Sequence, residues 1–364
     1  FAGAVASTTS KEGETMTNTT NEQSLIAIDL GNGTTSYIAG NGKQGSFPSL
    51  VTAYKDTSGL GLGFAKEGFT TKDGKSYLVG ESCRDEGAPS RSTDSSFYSS
   101  STIHILLLKV LHECDIKNPV IVTGLPTEFY EKEVQKFEEN IRRWAKGEGF
   151  QVKAVKVVPQ WAGPWFDDQL ENESGERIPL DLVLKGKWGI IDIGQGTTDV
   201  GQFNNGRVSD KRHGESKGVS DIHKAIFTTL KTKPESLVAE GKKAALIPKE
   251  FTLDKQTTEY TIDQWIRDGY IPWRGQKLDM KGISSPARNE FAKDVLPRCI
   301  EKVWGSTDFL AGMILAGGGA TVLGLDVFKQ HIHCPIYQAK TPELSIVRGF
   351  YRYAKTQILP MIDQ

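Results

Sequence analysis

Two short segments hold the residue types best suited to chemistry. Ile28 to Thr35 reads IDLGNGTT and Ile191 to Thr198 reads IDIGQGTT, with six of the eight positions identical. In each, an apolar run ends in an aspartate, Asp29 or Asp192, and a glycine-rich turn follows. The first turn contains Gly31, Asn32, Gly33, Thr34 and Thr35; the second contains Gly194, Gln195, Gly196, Thr197 and Thr198. Glycine accepts positive φ and has no side chain to block close approach, so such a turn can expose consecutive backbone N–H groups to an anion. The threonine hydroxyls add donors at the same edge. Two cradles of this kind on opposed domains would grip a polyphosphate from both sides. Asp29, Asp192 and Asp199, the last just after the second turn, would hold a hydrated magnesium ion between them rather than touch phosphate. Either turn alone reads equally well as an ordinary β-hairpin; the near-identity of the two, each with its aspartate, argues for a site.

A third glycine cluster, Gly317, Gly318 and Gly319, lies in Leu315 to Ala320 after the strand-like Met313 to Leu315. There a nucleoside could approach the backbone and a helix begin. No G-x-x-x-x-G-K-[ST] run occurs, and Gly59 to Gly63 has the wrong spacing for a dinucleotide fingerprint. Cys83, Cys114, Cys299 and Cys334 are far apart and without a C-x-x-C pair, which suggests neither a disulfide framework nor a zinc ribbon and favours a reducing cytoplasm. His331, His333 and Cys334 fall on an expected short strand, with no second ligand pair to complete a metal site.

The elements that must position these residues alternate between strand and helix patterns, an α/β arrangement. Apolar runs predict strands at Ser24 to Leu30, Thr34 to Ala39, Val120 to Thr123 and Val152 to Val158, with a turn at Asp73-Gly74. Ile103, Leu106, Leu107 and Val110 recur at helical spacing between Thr102 and Cys114. An amphipathic helix is expected from Tyr130 to Lys146, stopped by Gly147, and others near Val219 to Leu230 and from Asn289 to Val303. Gly87 to Ser101 reads as a polar surface loop and the residues before Arg288 as a charged stretch. A strand-turn-strand unit repeated about 160 residues apart implies two similar domains facing each other.

The chain of 364 residues is long enough for two domains with separate cores. A net charge of -1 offers no basic field, which disfavours direct nucleic-acid binding through phosphate neutralisation. No apolar run is long enough to cross a bilayer, so a soluble protein with no membrane partner is expected. Residues 1–23 are rich in Thr, Ser, Asn and Glu and are expected to be a disordered tail without a signal peptide; Met16 suits a natural start, with residues 1–15 foreign to the native chain.

The ordered series IDLGNGTT, VVPQ (Val157 to Gln160), IDIGQGTTDV (Ile191 to Val200) and LAGGGA (Leu315 to Ala320) resembles the actin, sugar kinase and heat-shock chaperone ATPase superfamily, across nearly all of the chain after Gln23. Within it, VTGLPTEFY (Val122 to Tyr130), GESKGVSDI (Gly214 to Ile222) and TPELSIVRGFYRYA (Thr341 to Ala354) resemble the plasmid-partitioning ParM branch. The resemblance implies an actin-like fold: two similar domains, each a mixed sheet flanked by helices, with ATP (or GTP) and magnesium in the cleft between them. Domain I would comprise residues 24–187 plus 344–364 and domain II residues 188–343, with crossings at Gly186 to Trp188 and Thr341 to Glu343. Leu344 to Ile358 would return as a helix packed on domain I. By position Gln160 would orient the attacking water, with Asp192 beside it in hydrolysis. The resemblance further implies a cytoplasmic ATPase whose subunits join head to tail into filaments, and a DNA-bound adaptor through which plasmid DNA is moved. A sugar or metabolite kinase would use the same cleft but needs a carboxylate base, for which Asp167-Asp168 is the nearest candidate. A chaperone or membrane scaffold fits less well, because no peptide-binding domain or amphipathic anchor follows.

Overall fold

The computed structural model describes residues 21–54, 68–86, 95–178, 183–232 and 246–362. Most of the expected tail (1–20), the glycines at 59–63, residues 87–94 of the expected loop and residues 363–364 lie outside the described residues. Asn21 and Glu22 form a helical turn, and Glu22 receives Tyr351 Oη at 2.9 Å and pairs with Lys355 Nζ at 2.8 Å.

Domain I begins with the strands β1 (Leu25–Leu30), β2 (Thr34–Ala39) and β3 (Gln44–Pro48), followed by β4 (Val51–Ala53), β5 (Phe69–Thr70) and β6 (Ser76–Val79). Helix α1 (Ser101–Cys114), β7 (Val120–Leu125), α2 (Thr127–Glu148) and β8 (Ala154–Pro159) follow, then a 3-10 turn over Gln160–Phe166. The main sheet has the order β3-β2-β1-β7-β8, and β4-β6-β5 form a small separate sheet.

Domain II repeats the plan. Strands β9 (Lys187–Ile193), β10 (Thr198–Asn204) and β11 (Arg207–Glu215) lead into α3 (Val219–Thr232), α4 (Glu259–Asp268), the ribbon β12 (Tyr270–Trp273) and β13 (Gln276–Asp279), and the long α5 (Met280–Val303). After β14 (Gly312–Ala316) come α6 (Gly318–Leu323), α7 (Leu325–Phe328) and β15 (Ile336–Gln338). The sheet order β11-β10-β9-β14-β15 matches that of domain I strand for strand: two antiparallel pairings, then two parallel ones. The hairpin registers match as well, Asp29 opposite Ser36 and Asp192 opposite Asp199. Helix α8 (Ser345–Tyr353) closes the fold, continuing through a π-helical turn (Ala354–Ile358) into α9 (Leu359–Ile362).

The central strands are apolar throughout because both sheet faces are covered, and alternate side chains enter different cores. Ile26, Ile28, Leu30 and Ile121 pack with residues of α1 and α2, whereas Leu25, Ala27, Val120 and Val122 pack with Ile346, Val347 and Phe350 of α8. The C-terminal helix thus returns to the first sheet. In domain II, Ile191, Ile193 and Leu315 join the helical core, and Trp188, Ile190 and Ile314 face a second cluster containing Trp161 and Leu170.

That second cluster moves the first crossing. Trp161 and Leu170 are buried against the second sheet, and Glu171 bridges Gln338 of β15. The chain therefore meets the second sheet from Trp161 onward, ahead of the crossing expected at Gly186 to Trp188, while Gly163 still packs on Ile346 and Phe350 of α8. Other boundaries shift for local reasons. Helix α2 runs through Gly147 and stops at Gly149, whose φ of 101° permits a left-handed cap. Helix α5 starts before Asn289 because Asp279 caps it, accepting from the N–H groups of Lys281 (3.1 Å) and Gly282 (3.0 Å). The charged stretch before it folds as α4 and the β12–β13 ribbon, and His331 and His333 lie in the turn before β15 rather than on a strand.

Candidate nucleotide cleft

Between the two sheets lies a cavity of about 260 Å³. Domain I contributes Asp29, Gly31, Asn32, Gly33 and Thr34, and Gln160 enters at the crossing. Domain II contributes Asp192, Gly194, Gln195, Gly196 and Thr197, with Gly317 and Gly318 behind them. The two hairpin turns meet: a Cβ added at Gly33 would lie 2.8 Å from Gln195 Cβ. Gly317, at φ 78°, is packed so closely that a Cβ there would strike Asp192 Oδ1 and the Ile193 carbonyl.

The turns hold their carbonyl oxygens against the protein. Gly31 O accepts from Ser49 Oγ at 2.5 Å and Gly33 O from Ser49 N at 3.0 Å; Gly194 O accepts from Val219 N at 3.0 Å and Gln195 O from Ser220 N at 2.9 Å. Four of the turns' carbonyl oxygens are thus engaged by the protein, and the Gly194 N–H is itself bonded to Thr197 O at 2.9 Å. Thr34 and Thr197 line the cavity.

Four of the expected site residues do not reach it. Thr35 is buried in its sheet, its hydroxyl 2.9 Å from Ser49 Oγ, and Thr198 donates to Lys217 O at 2.8 Å. Gly319 packs on Ile193. Asp199 lies behind the cradle, where Oδ1 accepts the Thr127 N–H at 2.7 Å. It thereby caps the N-terminus of α2 across the domain boundary. Strand alternation accounts for Thr198, which points to the side opposite Thr197; Asp199, two residues beyond Thr197, is instead engaged by the Thr127 N–H.

Gln160 and Asp29 form the best-defined contact of the cavity. Gln160 Nε2 donates to Asp29 Oδ1 at 2.9 Å, with both residues buried. That leaves the amide oxygen as the Gln160 atom suited to accept a hydrogen bond from water. Burial pushes the Asp29 carboxyl up to about 7 against the opposing Gln160 hydrogen bond. Asp192 is also raised, by burial first and then by the negative neighbours Asp199 and Asp29. Because these folded-state values exceed the unfolded ones, their contribution to stability is present at low pH and is lost as pH rises through about 7. The nucleotide-free protein should therefore melt at a higher temperature at pH 6 than at pH 8. Asp29→Asn should flatten that difference in calorimetry, and an unchanged slope would remove Asp29 as its source.

Among the described residues, no three His, Cys, Asp or Glu side chains are placed to ligate a metal ion directly. His333 instead pairs with Asp308 at 3.0 Å. The aspartates nevertheless fit a hydrated cation: Asp192 is buried yet its Oδ1 has no hydrogen-bond partner, and the same holds for Asn32 Oδ1. Such acceptors are costly to bury unless a donor such as a metal-bound water meets them.

Sequence reasoning missed several cavity residues. Tyr98, placed by the expected polar loop in solvent, is buried and lines the cavity, as do Ser46, Asp263, Arg267 and Glu343. No local signal marks them, because tertiary packing alone brings them there.

Duplicated hairpin-and-parallel sheets joined by paired glycine cradles define an actin-like architecture. Comparison with known proteins agrees: residues 27–163 match the family model described as actin like proteins N terminal domain, and residues 190–328 match that of the archaeal actin homologue MreB-like C-terminal domain. The chain belongs to the actin-like proteins. Among solved structures it is similar to a ParM filament from Clostridium botulinum, with 21% identity over 91% of this chain and 98% of that one and a TM-score of 0.66. A non-polymerisable quadruple mutant of pCBH ParM gives 20% identity, coverage of 91% and 98%, and a TM-score of 0.65. Ta0583, an archaeal actin homolog in complex with ADP, gives 18%, 91% and 99%, and 0.63. No curated protein matches the chain in sequence. Among the described residues, no helix is long and apolar enough to cross a membrane.

Proposed function

We propose that this protein is a ParM-type ATPase that polymerises with bound nucleotide and moves plasmid DNA through a DNA-bound adaptor in the bacterial cytoplasm. The observation that carries the reading is the pair of opposed cradles, four of whose carbonyls are engaged by the protein. ATP, or GTP, would lie with its phosphates between Gly31–Thr34 and Gly194–Thr197 and its nucleoside toward Gly317 and Gly318. Magnesium, when bound, supplies positive charge against the phosphates; Asp29 and Asp192 would hold its waters. Gln160 is neutral and cannot act as a strong base. Anchored by Asp29, its amide oxygen is suited to orient a water for in-line attack while backbone dipoles stabilise the transferred charge. Subunits joining through heterologous contacts that do not close would form the filament.

Of the kinase alternative's candidate pair, Asp168 is exposed and 3.3 Å from Arg352, and Asp167 is already engaged. Asp167 is buried and held by Arg348, whose Nε lies 3.0 and 3.1 Å from its two carboxylate oxygens. It is neither open to a substrate hydroxyl nor free of its cation.

Right-angle light scattering with negative-stain imaging tests the proposal on purified protein with magnesium and ATP, GTP, ADP or no nucleotide. Filaments that require a triphosphate are expected, and the nucleotide series reads the base preference. Nucleotide turnover with no polymer at any concentration would sink the filament reading and reopen the kinase one.

A further inference from the structure

The cavity has an electrostatic problem that the cradles do not solve. Neither Gly31–Thr35 nor Gly194–Thr198 contains a lysine or arginine. The cavity wall holds four carboxylates, Asp29, Asp192, Asp263 and Glu343, and a polyphosphate would bring several more negative charges among them. One hydrated divalent cation offsets only part of this. Among the described residues that line the cavity, Arg267 alone is cationic.

Arg267 stands near the end of α4 in domain II, and a neighbouring hollow at the cleft mouth places it with Gly33 and Thr34 of the first cradle and Gln195 of the second. The helix that presents it also reaches across to domain I, since Tyr260 packs on Leu50, Leu78 and Cys83. Asp263, one turn earlier, accepts from Arg267 Nε at 3.1 Å. That contact uses the Nε edge of the guanidinium, and the side chain remains 54% exposed. The geometry suits a side chain anchored at one edge and available to an anion at the other, because a planar guanidinium has two donor edges. An i,i+4 pair whose arginine is half exposed contributes modestly to helix stability, and it occupies only one edge of the guanidinium.

We propose that Arg267 is a phosphate-binding residue of the cleft, reaching from α4 to the terminal phosphates of a bound nucleoside triphosphate and favouring the triphosphate over shorter nucleotides. The inference rests on the nucleotide reading of the cavity given above. It assigns to α4 the cation that the two glycine turns lack. It also gives α4 a part in distinguishing the triphosphate state, because the helix touches domain I through Tyr260 and the nucleotide through Arg267.

Calorimetric titration of the full chain with MgATP, MgADP and adenosine tests it, on the wild type, Arg267→Gln and Arg267→Lys. Loss of one charge-assisted contact predicts that Arg267→Gln weakens MgATP binding roughly ten- to a hundredfold. MgADP should weaken less and adenosine hardly at all, with Arg267→Lys intermediate. Unchanged melting temperatures in both variants are expected and would exclude a folding defect. Equal weakening for all three ligands, or none for MgATP, would overturn the assignment while leaving the nucleotide reading intact. A wild-type chain that binds neither MgATP nor MgADP would instead overturn that reading, and this proposal with it.

Discussion

Gln160→Ala is expected to release phosphate roughly a hundredfold more slowly than the wild type while still assembling with nucleotide, leaving long-lived filaments. The hydrogen bond of this side chain goes to Asp29 Oδ1, whereas the cradles approach each other at Gly33 and Gln195. Its removal costs the orientation of water, an interaction realised in the transition state, and so should lower turnover more than nucleotide affinity. Asp192→Ala should impair hydrolysis too, with a raised magnesium requirement, because it deletes the buried acceptor that has no protein partner. Phosphate-release assays run beside scattering would separate the two effects. An unchanged rate in Gln160→Ala would take that residue out of the mechanism.

The second large effect is structural. Arg348 of α8 embraces Asp167 through Nε and Nη2, the latter 2.8 Å from Oδ2, and also reaches Thr341 through Nη1 to Oγ1 at 2.9 Å. Asp167 is fully buried and Arg348 nearly so. Arg348→Ala would strand a buried carboxylate, which in comparable cases costs about 3–5 kcal/mol. Urea denaturation should show that loss, whereas Arg352→Ala, removing the exposed pair with Asp168, should change stability by less than about 1 kcal/mol. Similar midpoints for the two variants would contradict the distinction between the buried and the exposed pair.

What the sequence disclosed followed periodicity and repetition. Matching motifs at Asp29 and Asp192 announced two hairpins whose registers prove equivalent, and Ile103, Leu106, Leu107 and Val110 announced α1, whose burial extends further to Ile105, Leu108 and Leu111. Gly31 and Gly33 were legible because a Cβ there would meet Thr34 O at 2.9 Å or Gln195 Cβ at 2.8 Å, whereas Gly194 has ordinary space around it. Misreadings arose where a residue's role is set by a distant partner. Asp199 reads as a cation ligand from its place after the turn, and no local signal shows that its Oδ1 also accepts the Thr127 N–H at the N-terminus of α2. Tyr98 looked solvent-exposed among serines, and Arg267 carried no motif at all. The crossing at Gln160 was hidden because Trp161 reads as a core residue without saying which core it enters.

The two places where the chain passes between domains are fastened to each other. Asp167 follows one and Thr341 begins the other, and a single guanidinium grips both. Two pins held side by side leave a door one easy motion, a swing about the line that joins them, and resist shear and twist. Gln160 stands at one of those pins while its partner Asp29 sits on the leaf. On the proposed reading, a change in the angle between the domains would reach the atoms that align the water, and mechanical state and chemical competence would share one coordinate.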